Sequence, residues 1–272
     1  MFKTILLVCA DDTIGRVDTS TLSQQSLMEL FIFGLSNFED ICGSRENPTG
    51  VCTWNGVTCN ADSEVETFAR PYVGADGTGT VDFKYLPCSM TRLNMPGNAL
   101  VGTIELRDLP KCMNYLMLDS NTLSGTVNLD DLPALIQHVI LGENKFTGDI
   151  SLKRLPKWLH ELLLYRNSFE GSICLTTLPP ALESLHLDCN RFVGSLDLTR
   201  LPQSLETLLL DNNMFSGEID VGHLPASLVH FSIRNNRLCG TVRTPPGVFC
   251  RPRYARSDRV FDGNPDLIID PQ

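Results

Sequence analysis

The sequence predicts an α/β-type solenoid, one elongated domain in which short, strand-rich coils stack on one another. Two features predict this fold class: an asparagine recurs every 23 residues without a slip, and a glycine follows each asparagine four positions later. The asparagines are Asn98, Asn121, Asn144, Asn167, Asn190, Asn213 and Asn236. A fixed period of about 20 to 50 residues is the signature of stacked repeats that bury a continuous core.

Three apolar columns lie between a Leu-Pro pair and the asparagine of each coil. They give the spacing L-x-x-L-x-L-x-x-N, which is that of a leucine-rich repeat. The columns are Met90, Met113, Ile136, Leu159, Leu182, Leu205 and Leu228; Leu93, Leu116, Val139, Leu162, Leu185, Leu208 and Phe231; and Met95, Leu118, Leu141, Leu164, Leu187, Leu210 and Ile233. The L-x-L pair predicts a short strand with one face inward. Together the coils predict a leucine-rich-repeat horseshoe or superhelix with a parallel concave β-sheet.

The other repeating positions each have a physical role in the coil. The asparagine amides can hydrogen-bond the backbone of adjacent coils, which predicts a buried ladder. The glycine lets the chain turn without a Cβ clash. Alternating residues after the glycine, such as Ile104 and Leu106, predict a second, shorter strand on the back of each coil. An aromatic spine inside the coils is predicted from Phe146, Phe169, Phe192 and Phe215.

The period divides the chain into five segments. They are a short signal peptide (1–10), an N-terminal cap with a helix (11–62), a degenerate first repeat (63–85), seven 23-residue repeats (86–246) and a C-terminal cap or tail (247–272). Phe261 and Leu267 are candidates to cover the last coil, because the outer faces of a solenoid must be shielded from water. The signal peptide depends on a seven-residue apolar stretch, at the lower end of the usual length, and a first strand or loose terminus is the alternative.

The composition argues against some classes of function. The 272 residues carry 32 acidic and 22 basic side chains, a formal net charge of -10 that repels nucleic-acid phosphates. No apolar run approaches the ~20 residues of a transmembrane helix. We therefore expect neither a nucleic-acid partner nor a transmembrane segment. Peripheral association with a membrane surface stays open because of five arginines near the C-terminus: Arg243, Arg251, Arg253, Arg256 and Arg259.

A helix and a cysteine motif predict the N-terminal cap. Thr21 and Gln24 have the spacing of a capping box, and an apolar stripe overlaps them at helical spacing. The stripe consists of Leu22, Leu27, Leu30, Phe31 and Leu35. The segment Cys52-Thr53-Trp54-Asn55-Gly56-Val57-Thr58-Cys59 resembles the C-x-W-x-G-V-x-C motif that ends the cap of plant-type extracellular leucine-rich-repeat proteins. Leu238-Cys239-Gly240, together with the later Cys250, resembles the carboxy-terminal end of proteins in that family. The resemblance implies two disulfides, Cys52–Cys59 and Cys239–Cys250.

The coil length points to a second family. Plant-type repeats are one residue longer and have isoleucine followed by proline, whereas these coils have a Leu-Pro pair and Ile-x-Leu after the glycine. This pattern is similar to that of the surface-antigen-like leucine-rich-repeat proteins of kinetoplastid protists, over residues 20–250. Such proteins are cell-surface or secreted binding and coat proteins without catalytic motifs. The resemblance thus implies an extracellular or cell-surface location, with a cytoplasmic one as the alternative if the N-terminal signal is not functional.

The remaining cysteines are open in their pairing. Cys88 and Cys112 fall on adjacent coils, where they either form a bridge or stay as small core thiols. Cys42, Cys174 and Cys189 have no obvious partner in the sequence. Since no C-x2-C or H-x3-H pair is present, we expect no metal site and no cofactor.

Outward positions on the concave strands supply the candidate binding surface. The central column is Asn94, Met117, Ile140, Leu163, His186, Leu209 and Ser232. The flanking columns are Arg92, Tyr115, His138, Glu161, Ser184, Thr207 and His230, and Pro96, Asp119, Gly142, Tyr165, Asp188, Asp211 and Arg234. We expect an apolar stripe flanked by acidic and aromatic groups that docks a partly basic protein or peptide. The candidate ligand-binding residues are Tyr115, Met117, Asp119, His138, Ile140, Glu161, Leu163, Tyr165, His186, Asp188, Leu209 and Asp211. The alternative is that these β-forming side chains only stabilise the sheet.

The sequence assembles no catalytic centre. The closest constellation is His186, Asp188 and Cys189, but the cysteine leaves the strand and the spacing builds no oxyanion hole. His160-Glu161 lacks the second histidine of H-E-x-x-H. We therefore predict a non-catalytic scaffold that binds a protein or peptide on its concave face. A structural coat protein without a dedicated ligand and an intracellular interaction module are the alternatives.

Overall fold

The structure is a computed structural model that describes residues 19–244 and 260–271. The predicted signal peptide (1–10), Cys250 and most of the arginines of the predicted tail lie outside these residues.

Two helices, α1 (Gln24–Ile32) and α2 (Phe38–Cys42), precede the coils, which contain short strands. In chain order the strands are β1 (Val57–Cys59), β2 (Val65–Ala69), β3 (Arg92–Asn94), β4 (Val101–Gly102), β5 (Tyr115–Met117), β6 (Thr122–Thr126), β7 (His138–Ile140), β8 (Lys145–Asp149), β9 (Glu161–Leu163), β10 (Ser168–Glu170), β11 (Ser184–His186), β12 (Val193–Gly194), β13 (Thr207–Leu209), β14 (Met214–Gly217), β15 (His230–Ser232), β16 (Arg237–Thr244) and β17 (Asp266–Pro271). Strands this short place only three side chains each on the main sheet, so that sheet is built by stacking coils.

One long sheet runs through all the coils, in the order β1-β2-β3-β5-β7-β9-β11-β13-β15. We call it the concave sheet. Its β1–β2 pair is antiparallel and the others are parallel. From β3 onward, paired residues are 23 apart, so that Leu93 lies opposite Leu116 and Leu185 opposite Leu208. In the strands of this sheet from β3 to β15, the middle residue is buried and its two neighbours point away from the coil interior. The predicted parallel sheet is confirmed, and the repeat period sets its register.

The second strand of each coil lies earlier in the chain than predicted. It runs from the residues after the asparagine to the glycine or just beyond, as in β6, and these strands form the sheets β10-β8-β6-β4 and β12-β14-β16-β17. Ile104 and Leu106 are buried as expected, but Leu106 opens a 3₁₀ turn, Leu106–Asp108. The alternation after the glycine therefore marks the inward side chains of a turn, and the prediction of a strand there was wrong.

The asparagine column forms the predicted ladder. Asn190 Nδ2 donates to the carbonyl of Leu164 in the preceding coil (3.0 Å) and to that of Leu187 in its own coil (3.1 Å). Its Oδ1 accepts from the amide of Phe169 (3.0 Å). The Leu187 carbonyl also accepts from Asn213, one coil further on (2.9 Å). Each rung thus joins two coils, and each of these carbonyls accepts from two consecutive asparagines.

The aromatic spine and the glycine turns fill the rest of the coil. Phe146, Phe169, Phe192 and Phe215 are fully buried, and consecutive rings stack with centroids 6.1 to 6.4 Å apart. The repeat glycines adopt positive φ, for example +84° at Gly148, where a Cβ atom would lie 2.9 Å from Thr126 Cγ2. Both features confirm the roles predicted from the repeat.

The N-terminal helix is capped differently from the prediction. The N-cap residue is Ser23, whose Oγ accepts from the amide of Ser26 (3.1 Å), so the capping box at Thr21 was wrong. Gln24 instead uses its Oε1 to accept from the amide of Val65 (2.8 Å), which ties α1 to the start of β2. The buried residues of α1 are Met28, Phe31 and Ile32.

The cap also contains the disulfide implied by the cysteine motif. Cys52 and Cys59 are bonded, which confirms that pair. Between them, Trp54 is buried and its Nε1 donates to the carbonyl of Thr49 (2.8 Å). Cys239 is a free thiol in this structure, and its expected partner lies outside the described residues.

A further rung follows the seven asparagines of the repeat. Asn264 Nδ2 donates to the carbonyl of Ile233 (3.1 Å), and its Oδ1 accepts from the amide of Leu238 (3.1 Å). After it, β17 pairs in parallel with β16. Phe261 and Leu267 pack against the core. The described end of the predicted C-terminal cap or tail (247–272) therefore continues the coil structure.

Candidate functional site

The candidate residues lie on the outward side of the concave sheet, in three columns that run across the strands. The first column opens each strand, the central column closes it, and the third follows two residues later. Since each strand lies beside the next, side chains of one column are neighbours across coils. The structure thus brings the candidate residues of each column together.

The central column is more enclosed than its sequence suggests. Ile140, His186 and Leu209 are only 7%, 8% and 5% exposed, whereas Met117 and Leu163 are half-buried. A concave surface crowds side chains of adjacent strands toward one another, which removes part of their surface from water. Of the predicted apolar stripe, Met117 and Leu163 are the apolar side chains that keep substantial exposure.

Stacked planar groups occupy the start of the first column. The guanidinium of Arg92 lies 3.7 Å from the ring centroid of Tyr115, and the rings of Tyr115 and His138 are 5.5 Å apart. His138 Nδ1 lies 2.9 Å from Glu161 Oε2. His160, the residue just before β9, stacks on His138 with ring centroids 6.1 Å apart. Tyr115, His138 and Glu161 are therefore held in place by their neighbours before any ligand binds.

Cross-coil contacts of this kind have a sequence signal that we did not use. His138 and Glu161 are 23 residues apart, and so are His160 and Glu183, whose Nδ1 and Oε1 lie 3.1 Å apart. Two charged or titratable groups of opposite type, one period apart, are placed side by side by the register. The same rule identifies a pair that we missed at the other edge of the sheet: Glu143 Oε1 and Arg166 Nη1, 2.8 Å apart.

The third column carries three enclosed carboxyl groups, Asp119, Asp188 and Asp211. Burial raises the pKa of all three, and it raises that of Asp188 to about 6. The nearby charge of Asp211 adds to the shift at Asp188, while Arg166 opposes it. Asp211 itself accepts from the hydroxyl of Ser232 and from the amide of Arg234.

Two oxygens of this column lack a hydrogen-bond partner among the described residues. They are Asp119 Oδ1 and Asp188 Oδ1, both buried. Asp119 is only 6% exposed, and its other oxygen accepts from the hydroxyl of Ser120 (3.3 Å). A buried, unpartnered carboxylate oxygen costs free energy, and such atoms are rare in folded proteins. Asn94 Oδ1 and Arg234 Nε of the candidate surface are also buried without a partner, and Asp119 and Asp188 are its carboxyl groups in this state.

The constellation around Cys189 lacks the features of a nucleophile. Burial raises the pKa of the Cys189 thiol, and the charge of Asp188 raises it further. A reactive cysteine needs the opposite shift, because the thiolate is the attacking species. In the described part of the chain, no group of three histidine, cysteine or acidic side chains is arranged to hold a metal ion.

The remaining thiols are dispersed along the coils. Cys112 Sγ donates to the carbonyl of Cys88 (2.9 Å), as Ser204 Oγ does to the carbonyl of Pro180 at the equivalent position (2.8 Å). Cys112 therefore acts as a hydroxyl-like donor between coils, and both it and Cys88 are free thiols.

The described helices include none that is long and apolar enough to cross a bilayer.

Comparisons with known proteins agree with this architecture. A family model described as Leucine Rich Repeat matches residues 181–201, which contain β11 and the asparagine that follows it. No curated protein sequence matches the chain.

Solved structures share the fold. A plant peptide hormone receptor, RGFR1 in complex with RGF2, is 22% identical with a TM-score of 0.52, and the alignment covers 75% of this chain and 37% of that one. The ectodomain of GASSHO1/SCHENGEN3 from Arabidopsis thaliana, in complex with CASPARIAN STRIP INTEGRITY FACTOR 2, is 23% identical with a TM-score of 0.56, covering 81% and 30%. PEPR1-AtPEP1 is 19% identical with a TM-score of 0.55, covering 81% and 38%. The chain spans about a third of the length of each, and at these identities the likeness is one of fold.

Proposed function

We propose that the chain is a non-catalytic leucine-rich-repeat scaffold that binds a peptide or protein on its concave sheet, outside the cytoplasm. The observation that carries this proposal is the concave sheet itself. Nine strands at about 4.8 Å give a face roughly 40 Å long, enough for an extended peptide of about twelve residues.

The outward side chains of this face are not needed to form the core. The inward columns and the asparagine ladder already hold the coils together, so Met117, Leu163 and Asp119 are free to serve another purpose. Two of these side chains are apolar and half-exposed, and the third has an unsatisfied buried oxygen. A few convergent polar groups beside apolar surface are typical of binding sites.

The similar structures support a binding role of this class. RGFR1 is a peptide hormone receptor and is bound to RGF2, and the GASSHO1/SCHENGEN3 ectodomain is bound to CASPARIAN STRIP INTEGRITY FACTOR 2. We extend peptide binding to the present chain as part of the proposal. The Cys52–Cys59 disulfide supports the extracellular location, since disulfides persist in oxidising compartments.

The test is selection of peptides from a display library of random dodecapeptides on the purified chain. We expect the wild-type chain to retain a set of binders, and the double variant Met117→Glu, Leu163→Glu to lose them. Both residues are half-buried, so glutamate can reach water and the melting temperature should change little. The matched control is Val101→Glu, Val193→Glu, which places the same charges on exposed positions of the second sheets.

Failure of this test would favour the structural alternative. If the wild-type chain retains no peptide, or if the double variant retains the same ones, the concave sheet is not the binding face. The burial of Ile140 and Leu209 would then be read as sheet stabilisation, as expected for a coat protein.

A further inference from the structure

The third column of the concave sheet contains carboxyl groups that the fold does not satisfy. Asp119 follows β5 and Asp188 follows β11, each two residues past the end of its strand. We call these two residues the acidic pair. Their unpartnered oxygens distinguish them from Asp211, which accepts from Ser232 and Arg234.

The side chains that contact or act on Asp119 are those of Ser120 and Glu143. It is more than nine-tenths buried, and its Oδ1 has no partner in the described part of the chain. The hydroxyl of Ser120 donates to Asp119 Oδ2 and lies 2.9 Å from Glu143 Oε2. The charge of Glu143 adds to the negative potential at Asp119. In the described part of the chain, Arg166 pairs with Glu143 of this cluster, and Asp119 Oδ1 is left without a hydrogen-bond donor.

Asp188 lies in a similar position on the other side of Tyr165. The charged and titratable groups that act on it are Arg166, Asp211 and Cys189. Arg166 is already engaged, because its Nη1 lies 2.8 Å from Glu143 Oε1. Asp211 carries the same charge as Asp188, and the thiol of Cys189 stays protonated. The buried Asp188 Oδ1 therefore also lacks a charged donor.

We propose that the acidic pair receives two basic side chains of an extended peptide, one at Asp119 and one at Asp188. This inference is based on the proposed function and specifies the partner. Arginine and lysine supply the charge and the N–H donors that the two free oxygens lack, and charge-assisted hydrogen bonds are the strong ones. The acidic pair makes the third column the part of the sheet that selects among peptides.

The geometry also sets the spacing of the two basic residues. Asp119 follows β5 and Asp188 follows β11. These strands are three strand spacings apart in the sheet, with β7 and β9 between them. Three strand separations of about 4.8 Å give ~14 Å, and an extended chain advances about 3.3 Å per residue. The basic residues should therefore be about four or five positions apart.

Binding should weaken as the pH falls, because the ionised form of Asp188 is the one that attracts a cation. With a pKa of about 6, that carboxyl is mostly ionised at pH 7 and only about one-tenth ionised at pH 5. If the ionised form alone binds, the Kd should rise about tenfold over this range. Asp119, whose pKa burial also raises, is retained in Asp188→Asn, so any pH dependence left in that variant is not due to Asp188.

The test uses the random dodecapeptide library and then one synthetic peptide from it. We expect peptides selected by the wild-type chain to contain two basic residues four or five apart. The Kd of a selected peptide should rise about tenfold or more in Asp119→Asn and in Asp188→Asn, the loss expected for a hydrogen bond to a charged group. Asp149→Asn, the same change on an exposed position of β8, is the matched control and should leave the Kd unchanged.

The outcomes separate this inference from the proposed function. If peptides are selected but lack the basic pair, or bind Asp188→Asn as tightly as the wild-type chain, the inference is wrong while peptide binding stands. If the wild-type chain selects no peptide at all, both are wrong. A Kd that does not rise between pH 7 and pH 5 would also contradict the assignment of a basic residue to Asp188.

Discussion

Replacing one interior rung of the asparagine ladder, Asn213→Ala, should destabilise the protein far more than replacing the asparagine beside it. Asn213 is buried, and its Nδ2 donates to the carbonyls of Leu187 (2.9 Å) and Leu210 (3.2 Å). Its Oδ1 accepts from the amide of Phe192 (3.0 Å). Asn212, by contrast, is exposed and its side chain accepts from Asn235.

The expected loss can be worked out atom by atom. The Leu187 carbonyl keeps its bond from Asn190, and the Leu210 carbonyl keeps its bond from Asn236, so each loses one of two donors at about 1 kcal/mol. The buried Phe192 amide loses the acceptor that the ladder supplies, which costs ~1 to 3 kcal/mol. The free energy of unfolding should therefore fall by about 3 to 5 kcal/mol in total.

Urea denaturation followed by circular dichroism measures this loss, with Asn212→Gly as the control. Glycine accepts the positive φ of +54° at that position, so the control should cost less than about 1 kcal/mol. Hydrogen exchange adds a local readout, because the Phe192 amide should lose protection in Asn213→Ala. A loss under about 1 kcal/mol with the Phe192 amide still protected would refute the ladder as the device that joins the coils.

Three further predictions concern the glycine turns, the acidic pair and the cap. Gly148→Ala should lower the free energy of unfolding by about 2 kcal/mol, because an alanine must adopt φ near +84°. The control is Gly50→Ala, which has negative φ and open space around the added Cβ atom, and it should change the free energy of unfolding little in the same urea assay. The folded-state pKa of Asp188 exceeds the unfolded value, so its ionisation lowers stability as the pH rises through about 6. Asp188→Asn should therefore raise the free energy of unfolding in urea by up to ~3 kcal/mol at pH 8, and leave it unchanged at pH 4. Peptide mapping of the denatured, unreduced protein after alkylation should find Cys52 and Cys59 linked to each other, and alkylation of both would contradict an oxidising location.

The repeat columns could be predicted from sequence because the period and the sheet register are the same quantity. Once residues 23 apart are neighbours, the inward column that contains Leu93, the ladder that contains Asn190 and the phenylalanine spine follow from side-chain chemistry alone. The position of the second strand did not follow, because Ile104 and Leu106 have the same spacing in a strand and at the entry to a 3₁₀ turn. Local patterns fix which side chains point inward and leave the backbone conformation between them open.

The ends of the solenoid were harder to predict because the period stops there. Asn264 lies 28 residues after Asn236, so a search at intervals of 23 passes over it. The segment Phe261-Asp262-Gly263-Asn264 keeps the L-x-x-N spacing, and Gly263 takes the positive φ found before each ladder asparagine, so a search for the half-motif would have found it. The helix cap failed for another reason: Ser23 and Thr21 are both good capping residues, and packing against β2 selects between them.

The burial of the candidate surface was the least accessible to sequence reasoning, because it depends on the spacing and curvature of the strands. The period places Asp119, Asp188 and Leu209 on the outward side, but it does not say how closely neighbouring side chains enclose them. Burial does not destabilise the apolar side chain of Leu209. It leaves one oxygen of each of the two carboxyl groups without a hydrogen bond, and this costs free energy. The same surface position is therefore neutral for one residue type and costly for another.

Asp188 separates a structural role from a binding role, because the two predict opposite signs for the same substitution. If the carboxylate supported the fold, Asp188→Asn would lower stability, and any loss of peptide binding would follow from the damaged structure. If it is retained for a basic ligand, the variant should be more stable at pH 8 and yet bind the selected peptide about tenfold more weakly. Measuring the urea midpoint and the Kd on the same preparation, with Asp149→Asn unchanged in both, tests the two signs together. A variant that loses stability and affinity in parallel would assign Asp188 to the fold.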